Sequence, residues 1–215
     1  MFEHFTVFSW CVFAVLALLS VASWYVIFTG ALNLFIFDRD FARVKSKWHR
    51  MSGFDSISDY ARGDRSPLVN LLVAGAFEWA KINMLQISDE RKEALLADVF
   101  RHETGELARK QDPGQLALAL CASVAPFVGL LGTVIGIYHT LGGFAAESSD
   151  PTLSMISGSI GETLVMTAFG LIVAIPAVFA YNIFSKRLKT GRARLNALAG
   201  VYHKLLVYRL KADEL

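Results

Sequence analysis

Hydroxyl side chains recur at helical spacing in two stretches of the chain that carry almost no charge. Thr133 and Thr140 lie seven residues, or two turns, apart in the uncharged stretch APFVGLLGTVIGIYHTLGGFA and therefore share a helix face. A later stretch spaces its hydroxyl residues four apart: Ser159, Thr163 and Thr167. Two such rows turned to a common side would border a narrow, weakly polar cavity that admits water but holds no ion by charge. The alternative is that each threonine hydroxyl bonds a backbone carbonyl one turn earlier in its own helix.

Few ionisable groups accompany these rows. Glu162 is the only carboxylate within the two stretches, and an acid within a membrane is a functional candidate by default. It could instead cap the start of its helix. His139 is open to two interpretations, an interfacial polar residue or a proton relay. Because no stretch has an acid near its centre, a proton pathway here would need a titratable group from a partner.

Small residues run beside the hydroxyls. Gly129, Gly132 and Gly136 are three and four residues apart, so they share one face, and the last two form a GxxxG that lets another helix approach closely in lipid. Gly170 continues the small-residue stripe of the second stretch, where Pro176 also removes one backbone hydrogen bond. The glycine row fits helix packing and also fits the wall of a pore.

Three uncharged runs must position these residues: Thr6–Phe37, Pro113–Ala146 and Thr163–Ser185. Each exceeds the roughly 20 residues that a helix needs to cross a bilayer, and the runs do not alternate as strands do. The sequence therefore predicts an all-α polytopic membrane protein with three transmembrane helices. The first run is too long for the apolar region of a secretory signal and has no basic residues before it, so we expect it to remain as a span.

The basic residues predict the orientation. All 21 Lys and Arg residues fall in 38–112 and 186–215, and the positive-inside rule places both segments in the cytoplasm. In chain order, the predicted segments are 1–37, outer N-terminus and first span; 38–112, cytoplasmic helical domain; 113–146, second span; 147–161, outer loop; 162–185, third span; 186–215, cytoplasmic C-terminal helix.

The cytoplasmic segments carry several helix signals. The charged stretch DRDFARVKSKWHR can extend the first span as a helix, and SGFDSISDYARGDRSP predicts a linker or short helices. Ser88 followed by two acids predicts an N-cap, and Pro113 predicts a kink before the second span. Three apolar stripes at helical spacing are predicted: positions 68, 71, 72, 76 and 79; positions 95, 96, 99 and 100; positions 188, 195, 198, 202 and 205.

Other classes of function find little support in the residues. No Ser/His/Asp, Cys/His or phosphate-loop pattern is present, so we expect no enzyme activity and neither a metal nor another cofactor. Cys11 and Cys121 both fall in apolar runs and are interpreted as small fillers. Acids interleave with the bases outside the spans, which disfavours a nucleic-acid partner.

The motifs APFVGLLGTVIGIYHTL and ISGSIGETLVMTAFGLIVAIPAVFAYNIF together closely resemble the ExbB/TolQ/MotA family of bacterial inner-membrane proton-channel subunits, with ExbB nearest. The resemblance is strong over 125–184 and implies that the outer side is the periplasm. By position in the motifs, Thr133 and Thr167 match the pore-lining threonines of the family and Glu162 matches its membrane acid. Ile135 departs from the family, which often has Trp there, and 38–112 resembles it only loosely.

The resemblance also implies partners. It predicts a homopentamer around a pair of single-span ExbD-like proteins, whose membrane Asp would carry protons, and a TonB-like protein driven by the assembly. A TolQ-like role in the Tol-Pal envelope system and a non-conducting membrane scaffold remain as alternatives.

Overall fold

The computed structural model describes residues 7–47, 66–110, 112, 114–146 and 153–213. Within them, the chain forms five α-helices: α1 (Val7–Lys47), α2 (Pro67–Asn83), α3 (Asp89–Lys110), α4 (Gln115–Ala146) and α5 (Leu153–Asp213). Residues 48–65, which contain most of the predicted linker, lie outside the described residues.

Three of these helices are long and apolar enough to cross a bilayer, over Phe8–Ser46, Gln115–Gly142 and Thr163–Lys204. The prediction of a helical membrane chain with three spans is confirmed at this level. With 41 and 61 residues, α1 and α5 are about 60 and 90 Å long at 1.5 Å per residue, so each exceeds the hydrocarbon thickness of about 30 Å. The charged stretch after Phe37 continues α1 as a helix as far as Lys47, as the sequence predicted.

The chain divides into two compact units. The first, here called the span unit, comprises Met1–Gly30 and Pro113–Ser185. Its three helical segments share a small apolar core: Val12, Leu16, Ala125, Met166, Val173 and Ala174. The rings of Phe13 on α1 and Phe169 on α5 meet edge to face, with centroids 5.3 Å apart.

The second unit, here called the hairpin unit, comprises Ala31–Asp112 and Lys186–Leu215 and contains the antiparallel pair α2 and α3. Ser66 caps α2 by accepting a hydrogen bond from the Val69 amide at 3.4 Å, and Pro67 occupies the first turn, where no amide is needed. The predicted stripe on α2 is buried: Leu68, Leu71, Leu72, Ala76 and Trp79.

The predicted stripe on α3 is only partly buried. The helix begins at Asp89, and the Ser88 carbonyl accepts hydrogen bonds from the amides of Arg91 and Lys92. Leu96 and Phe100 are buried, Val99 packs against the core, but Leu95 is 39% exposed. Leu95 lies at the margin of this apolar stripe.

The junction before the second span also differs from the prediction. Instead of a kinked continuous helix, α3 ends at Lys110 and α4 begins at Gln115. Gly114, directly before α4, has φ of +77°, a left-handed conformation that glycine adopts at little cost, and its carbonyl accepts a hydrogen bond from the Leu118 amide. On α5, Leu188, Leu195 and Tyr202 of the predicted stripe are buried and Leu198 packs against the core, whereas the Leu205 side chain lies outside the described residues.

Candidate functional site

Within the span unit, α4 and α5 approach each other until their backbones touch. A Cβ atom placed on Gly129 would lie 2.8 Å from the Met166 carbonyl oxygen, and one placed on Gly170 would lie 2.7 Å from the Ala125 carbonyl oxygen. Either distance is shorter than van der Waals contact allows, and carbonyl oxygens of a helix cannot move aside as a flexible side chain can. The absence of two side chains therefore sets the separation of the two helices.

The glycines further along α4 meet side chains. A Cβ on Gly132 would lie 3.1 Å from a methyl carbon of Val12 on α1 and 3.2 Å from the Met166 Cβ. Gly136 packs directly against the methyl group of Thr163. The glycine face of α4 is thus covered by α5 and α1 of the same chain.

Three of the threonines use their hydroxyls within their own helices. The Thr133 hydroxyl donates to the Leu130 carbonyl at 2.6 Å, and the Thr163 hydroxyl donates to the Ile160 carbonyl at 2.8 Å. Both side chains are only 7% exposed. Thr140 donates to the Gly136 carbonyl at 2.9 Å. The Thr133 and Thr163 oxygens each keep a lone pair that can accept a further hydrogen bond.

Thr167 differs from the other threonines. Its side chain is half-buried, and its hydroxyl has no hydrogen-bond partner in the part of the chain that the structure describes. A Cβ on Gly129 would lie 3.1 Å from the Thr167 Cα, so this residue lies at the closest approach of α4 and α5. Since no described residue engages it, this hydroxyl can both donate and accept a hydrogen bond.

Thr133 and Thr167 lie on the same side of the α4–α5 contact. The two helices are antiparallel, because Gly129 meets Gly170 whereas Gly136 meets Thr163. At about 100° per residue, Thr133 is rotated by about +40° from Gly129, and Thr167 by about +60° from Gly170. Equal senses of rotation on antiparallel helices turn both side chains to one edge of the contact.

For the remaining predicted residues, the structure gives the helix position but few side-chain contacts. Glu162 and Ser159 are helical positions of α5, but their side chains lie outside the described residues. Pro176 is half-buried within α5, which stays helical through it. His139 is exposed near the end of α4, where its ring meets that of Tyr138 edge to face at 5.9 Å.

Polar contacts elsewhere in the span unit were not predicted. The Gln115 amide donates to the Ser185 hydroxyl at 3.1 Å and joins the first turn of α4 to α5. The Cys121 thiol donates to the Leu19 carbonyl at 3.6 Å. Gln115 and Ser185 stand near the ends of two uncharged runs, which is the only signal in the sequence for this pair.

The described threonine hydroxyls of this site can take part in hydrogen bonding. The described residues contain no group of three or more His, Cys, Asp or Glu side chains that could hold a metal ion. The surrounding outward faces of α4 and α5 are apolar and exposed, for example at Leu130, Val134, Leu164 and Leu171. Beneath this apolar surface Thr133 is buried, and the half-buried Thr167 is the hydroxyl residue of the threonine edge that is partly exposed.

Comparison with known proteins identifies the family. A sequence profile of the MotA/TolQ/ExbB proton channel family matches residues 71–197, which include the whole α4–α5 contact. The biopolymer transport protein ExbB of Neisseria meningitidis serogroup A is 32% identical over 201 residues, covering 91% of this chain and 90% of that protein. ExbB of Salmonella typhimurium is 29% identical over 201 residues, covering 93% of this chain and 82% of that protein. ExbB of Xanthomonas campestris strain B100 is 47% identical over 94 residues, covering 44% of this chain and 37% of that protein.

These matches confirm the resemblance that the motifs around Thr133 and Thr167 indicated. They agree with a transport protein whose three long apolar helices can cross a membrane. The chain belongs to the MotA/TolQ/ExbB proton channel family.

Proposed function

We propose that the chain is an ExbB-type subunit of a proton channel in the bacterial inner membrane. In this proposal, copies of the chain form a pentameric ring around a pair of ExbD-like single-span proteins, and the assembly uses the proton motive force to energise a TonB-like protein. The N-terminus and 147–161 face the periplasm, and 38–112 and 186–215 face the cytoplasm, because all Lys and Arg residues lie in the latter two segments.

The observation that carries the proposal is the threonine edge of the α4–α5 contact. Thr133 offers a hydroxyl oxygen that can only accept, since its proton is engaged with the Leu130 carbonyl, whereas Thr167 can donate and accept. A partner carboxyl group can donate to the first when protonated and accept from the second when ionised. The two hydroxyls can therefore stabilise the partner acid by hydrogen bonding in both its protonated and its ionised form.

The acid itself has to come from another polypeptide. The runs 113–146 and 163–185 contain no Asp or Glu, and Glu162 lies at the outer end of the third span. An ionised carboxylate at mid-bilayer costs about 2.5–3.5 kcal/mol on insertion scales, so a partner acid gains from a hydroxyl-lined surface. We propose that protonation of this acid lets the partner move against the less polar part of the ring, which couples proton entry to mechanical work.

The test is nutrient uptake in cells that depend on this chain. Replacing Thr133 and Thr167 together with Val keeps the side-chain shape and removes both hydroxyls. We expect normal amounts of assembled protein with energy-dependent uptake reduced at least about ten-fold, the effect of losing about 1.4 kcal/mol of stabilisation. The matched control, Thr133→Ser with Thr167→Ser, keeps the hydroxyls and should keep uptake. Full uptake by the Val variant would rule out the hydroxyl mechanism.

Two alternatives give different outcomes. A TolQ-like subunit would leave uptake unchanged when the chain is deleted but would make the outer membrane permeable to detergents. A non-conducting scaffold would tolerate both Val substitutions and also Glu162→Gln. In the channel proposal, Glu162→Gln reduces uptake more than it reduces the amount of assembled protein.

A further inference from the structure

The basic residues of the hairpin unit are distributed unevenly between two regions. The α2–α3 hairpin, residues 67–110, contains six Lys or Arg and seven Asp or Glu residues. A second region joins 38–47 of α1 to 186–194 of α5 and is here called the basic band. It contains nine Lys or Arg residues and two Asp residues, and 186–194 has no acid at all.

The two regions also differ in how their charges are paired. On the hairpin, four bases pair with an acid three residues earlier: Lys81 with Glu78, Lys92 with Asp89, Arg101 with Asp98 and Arg109 with Glu106. In the basic band both acids are already engaged. Asp38 contacts Arg187 at 3.4 Å and Arg194 at 3.0 Å, and Asp40 contacts Arg43 at 3.6 Å.

Five bases of the band are left without an ion pair among the described residues, and all five are exposed: Arg39, Lys45, Lys186, Lys189 and Arg192. Lys186, Lys189 and Arg192 recur every third residue on α5, and all three are exposed. At about 100° per residue, each step turns the row by about 60°, from Lys186 opposite the buried Leu188 to Arg192 beside it. They form one row of uncompensated cations.

The row starts where the third uncharged run ends. Ser185 is the last residue of that run, and Lys186 follows it directly. The nine residues 186–194 extend about 13 Å along the helix, which is comparable to the depth of a headgroup layer. Clustered bases at this position next to a span attract anionic lipids, and each base contributes about a five-fold preference near the surface.

We propose that the basic band is a binding site for anionic phospholipid headgroups of the cytoplasmic leaflet, with Lys186, Lys189 and Arg192 contacting the phosphates. The Asp38–Arg187–Arg194 cluster joins α1 to α5 and engages one of the two acids of the band. The positive-inside rule accounts for bases at this end of the span, but it acts during insertion and does not require them to be unpaired. This proposal is independent of proton conduction.

The experiment measures lipid preference with the full-length protein in phosphatidylcholine vesicles. Either phosphatidylglycerol or phosphatidylcholine carries brominated chains, and quenching of tryptophan fluorescence gives the relative affinity of the two lipids. We expect phosphatidylglycerol to be preferred several-fold at low salt and the preference to fall in 0.5 M NaCl, since the Debye length then drops to a few Å. Protease accessibility from outside the vesicles selects samples of one orientation.

Two triple variants with the same change in charge test the site. Lys186→Gln with Lys189→Gln and Arg192→Gln should abolish the preference. Arg91→Gln with Arg101→Gln and Lys110→Gln, on the hairpin, should retain it. Replacing Lys186 and Lys189 with Arg keeps the charge and should also retain the preference, which separates binding from a folding defect.

Three outcomes would overturn the proposal. The wild-type chain could show no preference between the two lipids, or both triple variants could lose it equally. Alternatively, inorganic phosphate could suppress the preference more strongly than NaCl of equal ionic strength, which would indicate a site for free anions instead of lipid.

Discussion

The span unit and the hairpin unit are stabilised by opposite kinds of contact. In the hairpin unit, large side chains fill the core, and Leu68, Leu72, Leu96 and Leu195 are at most 1% exposed. In the span unit, the closest contact is made where side chains are absent, between Gly129 and Gly170. The difference follows from the solvent, because burying leucine is favourable from water but nearly neutral from lipid.

This comparison explains where the polar chemistry lies. Helices that associate through small residues bring their backbones together, and threonines beside the glycines come to the edge of the same contact. A core of leucines would have held α4 and α5 apart. Tight packing and a hydroxyl-lined edge are therefore two consequences of one row of small residues.

The largest effect is expected from a cavity in the hairpin unit. Leu96→Ala removes a side chain that is fully buried and should lower the free energy of unfolding by about 2–5 kcal/mol. Thermal or denaturant unfolding of the purified protein measures this. Leu95→Ala, one residue earlier and 39% exposed, is the matched control and should cost less than about 1 kcal/mol. If both variants lose the same free energy of unfolding, Leu96 is not the buried core residue that the structure shows.

An intermediate effect is expected from adding one methyl group to the span unit. Gly170→Ala places a Cβ 2.7 Å from the Ala125 carbonyl oxygen and should cost about 1–3 kcal/mol as α4 and α5 are forced apart. Gly142→Ala is the control, since a Cβ there would meet nothing within 4 Å and alanine favours the helix. If both variants are equally stable in detergent, the backbone contact is not the basis of the packing.

The smallest effect on stability is expected when Thr133 and Thr167 are each replaced with Val. Thr133→Val removes a hydroxyl bonded to the Leu130 carbonyl and should cost about 0.5–1 kcal/mol. Thr167→Val replaces a hydroxyl without a partner in the described chain, so its unfolding free energy should be nearly unchanged. A destabilised Thr167→Val variant would mean that this hydroxyl is used within the chain and is not free for a partner.

Much of the fold could be predicted from the sequence because it depends on local patterns. The uncharged runs predicted the three long apolar helices, and the apolar stripe from Leu68 to Trp79 predicted the buried face of α2. Periodicity also predicted the stripe on α3, but it does not show that Leu95 at the margin of that stripe is 39% exposed. The break at Gly114 was expected only as a kink, since a left-handed backbone conformation is one of several that a Pro-Gly pair allows.

The sequence predicted which residues belong to the candidate site, but it did not predict which hydroxyls form hydrogen bonds within their own helix. Spacing placed Thr133 and Thr167 on helix faces with the glycines, and the family motif singled them out. That Thr133 bonds its own helix while Thr167 does not depends on side-chain rotation and burial, which spacing does not determine. The roles of Glu162 and Ser159 stay predictions.

The most direct test of a hydroxyl-lined path that takes its acid from a partner is proton flux. The chain, reconstituted with its single-span partner in vesicles containing a pH-sensitive dye, is compared with the variant carrying Thr133→Val and Thr167→Val. We predict proton entry for the wild-type pair, at least about ten-fold slower entry for the variant, and none for the chain without its partner. Equal flux through the variant, or full flux without the partner, would contradict the account.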